Sequence, residues 1–230
     1  MTEYRRLDSV EDFKKAEQAQ KQVWSMSDID VLPSHFMIAM AQHGEQWGAF
    51  DGDELVGIAL SFPLSDGKGF VFHMGGVIPS HRNLGLGFKL FKYMMTSLEQ
   101  RGFKYVNFTY DPLDPVNANL YHNKLNATGY KVIFNYYGEL CSGHHSKLPS
   151  HRLLCKIELD ETVQNKSTLS GTKKLKIIST LEELKTLPIN DAIKISNEYF
   201  KNIDLCMQEG YVVTAFDKMP DGLYLVFHRP

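Results

Sequence analysis

Apolar residues change their spacing several times along the chain, and each change predicts a new element. After Ser9, the residues Phe13, Ala16, Ala19, Gln20 and Val23 fall on one side of a helix; Ser9 is an N-cap type, and Glu11 and Asp12 suit the positive helix end. Pro33 suits the first turn of a second helix that presents Phe36, Met37, Met40 and Ala41. The period then drops to two. Gln46 to Phe50, the turn Asp51-Gly52-Asp53 and Glu54 to Phe62 read as a hairpin, and Ser65 to Gly69 turns the chain into a third strand, Gly69 to Met74. Helical spacing returns with Leu86, Leu90, Phe91, Met94, Met95 and Leu98, ahead of a stop at Gly102.

Beyond it, Tyr105 to Tyr110 reads as a strand cut off by Asp111-Pro112, followed by a helix over about 116–127 and strands over 130–137 and 152–159. Strand, helix, strand is read here as a right-handed crossover between parallel neighbours. A tract rich in Thr, Ser, Asn and Lys reads as a linker. After it come Leu175 to Ile178, a helix from Ile189 to Glu209 whose apolar face carries Ala192, Ile193, Ser196, Tyr199, Phe200, Ile203 and Met207, and a terminal hairpin over 211–228. The organisation expected is a main domain over 1–160, a linker over 161–174 and a C-terminal α/β extension over 175–230. An extension of that size is marginal alone, so packing on the main domain is expected.

Composition narrows the class. The chain has 230 residues, 43% hydrophobic, with a formal charge of −2, which suits a globular protein with a sizeable core. No dense Lys/Arg run suggests nucleic acid, and no apolar run approaches the ~20 residues that span a bilayer, so neither partner is expected. The charged start Met1 to Arg6 is not followed by a signal-peptide core. The three cysteines, Cys141, Cys155 and Cys206, are scattered in no ligand spacing and read as reduced thiols of a cytoplasmic protein.

The chemistry is concentrated in Val77-Ile78-Pro79-Ser80-His81-Arg82-Asn83-Leu84-Gly85-Leu86-Gly87, between the third strand and the following helix. Its glycines allow a tight turn, and the free N–H groups of the helix start would form an anion cradle. A Walker loop would need Gly-Lys-Ser/Thr, but Phe88 follows Gly87; a dinucleotide fingerprint would need glycine where Leu90 stands.

What remains, Val-x-Pro-x-x-Arg-x-x-Gly-x-Gly, resembles the pyrophosphate-binding signature of the GNAT superfamily of N-acetyltransferases. The ordered set Val23-Trp24, Gly48-Ala49-Phe50, His73-Met74 with Gly76-Val77, Phe108 to Leu113, Asn117-Ala118, Tyr136-Tyr137-Gly138 and Arg152-Leu153-Leu154 is similar to a little-characterised branch of predicted GNAT acetyltransferases, over roughly residues 4 to 160. The resemblance implies an α/β (α+β) GNAT-like acyl-CoA N-acyltransferase fold with a mostly antiparallel mixed central sheet flanked by helices. It implies acetyl-CoA, or another acyl-CoA, as cosubstrate and an amine of a small molecule or peptide as acceptor, with a homodimer left open and no metal.

By the same resemblance, backbone groups from Gly75 to Val77 would bond the pantetheine arm, and the amides of Asn83, Leu84, Gly85, Leu86, Gly87 and Phe88 would bond the pyrophosphate. Arg82 would add charge. Asn117 and Asn119 would contact pantetheine, unless Asn117 caps its helix. His73 stands where many members carry a glutamate base; it shares a strand face with Gly75 and Val77 unless Gly75-Gly76 forms a bulge. The usual proton-donor tyrosine is replaced by Leu125. Tyr121, one turn earlier, and His122 are stand-ins, with Tyr121 equally readable as core. That departure keeps a second reading open, a non-catalytic CoA-binding or sensing protein. Asp111-Pro112 and Tyr136 to Gly138 would line the acceptor pocket, and Glu139, Glu54 and His122 are the reserve bases. His144, His145 and His151 with Cys141 lack a carboxylate at ligand spacing, so a metal site is not expected.

Overall fold

The computed structural model describes residues 1–138, 148–160 and 169–230; Glu139, the loop with Cys141, His144 and His145, and most of the expected linker (161–168) lie outside the described residues. The chain divides into two compact units, one of residues Met1–Val106 and one that begins at Asn107 and takes in the described residues to Pro230.

The first unit contains β1 (Glu3–Arg6), α1 (Val10–Trp24), α2 (Ser34–Ala41), β2 (Glu45–Asp51), β3 (Glu54–Pro63), β4 (Gly69–Val77) and α3 (Leu86–Gln100), with a single 3₁₀ turn over Pro79–His81. Its strands pair in sequence order, each antiparallel to the next. Ser9 caps α1 as expected, in a reciprocal box with Asp12. The Asp12 carboxylate also accepts both arms of Arg5, at 2.7 and 2.9 Å, and these bonds hold its pKa well below the usual range. Strand β1 was not anticipated, because Glu3, Arg5 and Arg6 hide it; as the border strand of its unit it needs only one apolar contact row.

Helix α3 buries the six apolar residues that the spacing predicted, with Phe91 edge-on to Phe72 at 4.5 Å. Helix α1 packs on the opposite sheet face. A Cβ on Gly76 would fall 2.4 Å from Cγ1 of Val23, so only glycine lets the end of α1 rest on β4.

The second unit contains β5 (Tyr105–Tyr110), in which the boundary falls, then α4 (Pro115–Ala118), a π-helical stretch Asn119–Lys124, β6 (Thr128–Ile133), β7 (Arg152–Glu158), β8 (Ser170–Lys176), α5 (Leu181–Leu184), α6 (Ile189–Gln208), β9 (Val212–Met219) and β10 (Gly222–Arg229). The strand order is β5-β7-β6-β9-β10-β8. Three expectations change. β7 lies between β5 and β6, so these two are not neighbours and the crossover does not join adjacent parallel strands. The predicted helix over 116–127 is a short α-turn that widens into π geometry, held by Asn123, whose side chain bonds both the N–H and the C=O of Phe216 at 3.0 and 2.7 Å. The tract assigned to a linker ends early, since Ser170 to Lys176 pairs with β10; Ser170, Gly171, Thr172 and Lys174 are exposed, so the first part of the strand reads as a polar linker.

The residues after 174 continue the sheet of their own unit. Val213 pairs with Gly129 of β6, and α6 buries Ala192, Ser196, Tyr199, Phe200 and Ile203. No helix among the described residues is long and apolar enough to cross a membrane.

Candidate active site

The end of β4 is irregular. Leu60 pairs with Met74 but Ser61 with Phe72, which leaves His73 as the extra residue of a bulge. The bulge is therefore at His73 and not at Gly75-Gly76, and it breaks the expected alternation. Gly75 faces Phe72, with 2.5 Å between its would-be Cβ and the Phe72 ring, whereas His73 turns its ring towards Phe62 at 5.8 Å. Phe62 lies two residues beyond Leu60, the partner of Met74, so His73 belongs to the face covered by α1 and does not share that of Gly75 and Val77. Although part of His73 is open to solvent, crowding by its neighbours desolvates the ring and lowers its pKa.

The cradle follows. Asn83 (φ 64°) and Gly85 (φ 73°) are both left-handed, and Gly85 is the N-cap of α3 with no side chain capping the helix. The first intrahelical bond of α3 runs from Lys89 N to Gly85 O at 3.2 Å, so the N–H groups of Leu86, Gly87 and Phe88 have no carbonyl one turn back. Leu84, between Asn83 and Gly85, is exposed. Gly87 is informative in a different way. It has ordinary backbone angles, and a Cβ there would sit 3.7 Å from Val77, an unstrained contact. Nothing inside the protein requires glycine at 87; a group approaching the backbone from outside would.

Arg82 is bonded within its own unit. Its Nε donates to the Val77 carbonyl at 3.2 Å and its Nη2 to the Val23 carbonyl at 2.8 Å.

In the second unit Asn117 and Asn119 are half-buried and bonded to neighbours, Tyr121 and His122 are buried, and Tyr136 and Tyr137 are exposed. Asp114 is the cap of α4, accepting from Val116 and Asn117 N–H at 2.9 and 3.1 Å, so the capping role considered for Asn117 belongs to Asp114, which also holds the Asn117 amide at 2.9 Å. Asn119 accepts from Asn123 at 3.0 Å. Tyr121 is a core residue, 7% exposed and packed against Phe108 and Tyr110 with ring centres 4.4 and 5.1 Å away; burial raises its pKa, which disfavours the proton-donor role. Leu125, at the usual tyrosine position, is buried as well.

His122 is sealed: Nδ1 faces the Ala127 carbonyl at 2.9 Å and so carries the proton, and Nε2 accepts from Tyr110 Oη at 2.6 Å. It drops out of the reserve bases. Glu54 sits exposed at the hairpin turn, and Glu139 is outside the described residues. His151 is engaged by Asn135 N–H at 3.0 Å and by Asn197 Oδ1 at 2.7 Å. Among the described residues no three His, Cys, Asp or Glu side chains group as metal ligands. Asp111 is nearly buried, and desolvation pushes its pKa up to about 6 against the opposing pull of Arg152.

A sequence model described as the acetyltransferase (GNAT) family matches residues 8–126, which holds both the β4 bulge and the whole cradle. The chain belongs to the GNAT acetyltransferase family. Its fold agrees with solved GNAT structures. The ribosomal-protein-S18-alanine N-acetyltransferase of Escherichia coli is 13% identical with a TM-score of 0.57, over 74% of this chain and 100% of that one. Aminoglycoside 6'-acetyltransferase type Ii is 20% identical at TM-score 0.55, covering 69% and 97%. YncA of Salmonella typhimurium, a putative acetyltransferase solved with its cofactor acetyl-CoA, is 14% identical at 0.53, covering 70% and 95%. At these identities the likeness is one of fold. Each of these structures is spanned nearly whole while this GNAT chain is not; its C-terminal extension lies beyond the shared fold. No curated protein sequence matches the chain.

Proposed function

We propose that this GNAT chain is an acyl-CoA-dependent N-acyltransferase, using acetyl-CoA and acylating an amine by direct transfer. One observation carries the reading: a cradle of unspent backbone N–H groups at the start of α3, beside a glycine at 87 that the protein's own packing does not require. These features fit a pyrophosphate. Asn83 to Phe88 would hold it, and Gly75 to Val77 would flank the pantetheine arm; acetyl-CoA is the cofactor named for the structurally similar YncA. When bound, the cosubstrate supplies the electrophilic thioester carbonyl.

His73 then has one task, to take a proton from the acceptor ammonium or amine on a ring nitrogen. Its lowered pKa keeps the imidazole neutral at physiological pH, and its partial exposure leaves an approach for the amine. The bulge frees backbone groups beside it to polarise a carbonyl. With Tyr121 in the core, the thiolate leaves without a dedicated acid. The structurally similar proteins are named for acceptors as different as a ribosomal protein and an aminoglycoside, so the acceptor here is stated only as an amine.

The test is acetyl-CoA binding by calorimetry, followed by release of free CoA with a panel of amines: peptides with free N-termini, polyamines and aminoglycosides. Wild type should bind, and Gly87→Glu, which adds a carboxylate to the cradle without backbone strain, should weaken binding by about 100-fold or more. A wild-type chain that ignores millimolar acetyl-CoA sinks the reading. Binding without release of CoA to any amine favours the sensing protein instead.

A further inference from the structure

The last turn of α1 meets the end of β4 through two separate contacts. One is steric: Val23 and Trp24 rest where Gly76 has no side chain, with a would-be Cβ 2.4 Å from Val23 and 3.0 Å from Trp24. The other is Arg82, whose planar fork spans two carbonyls, Val77 at the strand end and Val23 in the helix. The position suits a cation, because carbonyls of a last helical turn run out of N–H partners and carry the negative end of the dipole. Ser25, left-handed at φ 55°, then stops α1 and starts the connection to α2. His73 lies on the same sheet face as this helix end. His73 and the segment that Arg82 holds are therefore on one side of the sheet.

We propose that Arg82 is a positioning residue, a clamp that fixes the α1–α2 arm beside His73, and not a ligand of the cosubstrate phosphates. The proposal rests on the acyltransferase reading for its consequence, but its geometry stands apart from it. A guanidinium that already bonds two carbonyls has its Nε and one terminal nitrogen committed. The phosphates need no side chain where the backbone supplies the donors.

Three proteins test it: wild type, Arg82→Met and Arg82→Lys. Acetyl-CoA affinity is measured by calorimetry, and backbone amide exchange is followed in residues 21–25. The clamp predicts that Arg82→Met keeps its acetyl-CoA Kd within about threefold, while amides of the last turn of α1 exchange about tenfold faster or more. Arg82→Lys, which reaches one carbonyl but lacks the fork, should fall between. In turnover with the amine that wild type accepts best, the acceptor KM should rise about tenfold in Arg82→Met, with the acetyl-CoA KM within threefold. A tenfold loss of acetyl-CoA affinity in Arg82→Met overturns the proposal, and so does unchanged exchange in α1. If wild type fails to bind acetyl-CoA, the acyltransferase reading falls alone, and the exchange measurement still decides the clamp.

Discussion

Two stretches of this chain have the same local plan, a strand that ends in a turn and opens a helix: β4 into α3, and β5 into α4. Their polar groups are treated in opposite ways. At the start of α3 no side chain caps the helix and three backbone donors are left over. At the start of α4 Asp114 takes two N–H groups, and further along His122 and Asn123 have both ends of their side chains bonded. Hydrogen-bonding capacity that the fold does not use is what marks a site; capacity fully used marks a support. By that measure the start of α3 is the stretch open to a ligand, in line with the function proposed above, and α4 with its π-helical extension has the character of a support.

The largest effect that would sharpen this contrast is at His73. His73→Ala should lower kcat/KM by roughly 10²–10⁴-fold with acetyl-CoA affinity barely changed. Since neutral imidazole is the active form and desolvation lowers its pKa, the rate should fall only as pH drops below the ordinary histidine range near 6.5 and stay flat above it. His73→Gln with wild-type turnover and pH profile would make His73 structural and leave the exposed end of β4 without chemistry.

Asp111 offers an intermediate effect on the other side. Its folded pKa of about 6 is raised from 3.8, so the folded state binds the extra proton between those values and its stability is lost as pH rises through that window. Asp111→Asn removes the buried charge and keeps an acceptor for Leu113 N–H, now at 2.9 Å. It should be more stable than wild type at pH 8, by roughly 2–3 kcal/mol, with the gap closing near pH 4. Denaturant unfolding at the two pH values reads this directly; equal stabilities at pH 8 would show that the carboxylate is well served in the fold.

Tyr121→Phe should do least. A net loss of about 1 kcal/mol and turnover within about twofold are expected of a hydroxyl in a support. A hundredfold drop in kcat would restore Tyr121 as a proton donor and erase the distinction between the two stretches.

The sequence was legible where local chemistry decides the structure. Ser9 with Asp12, the apolar stripe from Leu86 to Leu98 and the left-handed Gly85 are each set by neighbours within a turn or two. It was not legible where distant pairing decides. The bulge at His73 arises from its register with Leu60 and Ser61, and the widening after Ala118 from Asn123 gripping Phe216, 93 residues away. Strand β1 escaped notice, and the part of β8 before Leu175 was read as linker, because lysine, arginine and small polar residues occupy positions that a border strand can leave in water. The Arg82 motif showed a cation beside a cradle, and only the folded chain shows which carbonyls it faces.

The lysines of β8 have one more effect. Lys173, Lys174 and Lys176 stand on the terminal strand of their unit, each beside an acidic partner, Glu209, Asp217 and Asp221 respectively. Another chain adding to that border would have to lie along a row of ammonium groups, desolvating them and separating them from their partners. Strand addition at this border of the sheet is thereby disfavoured.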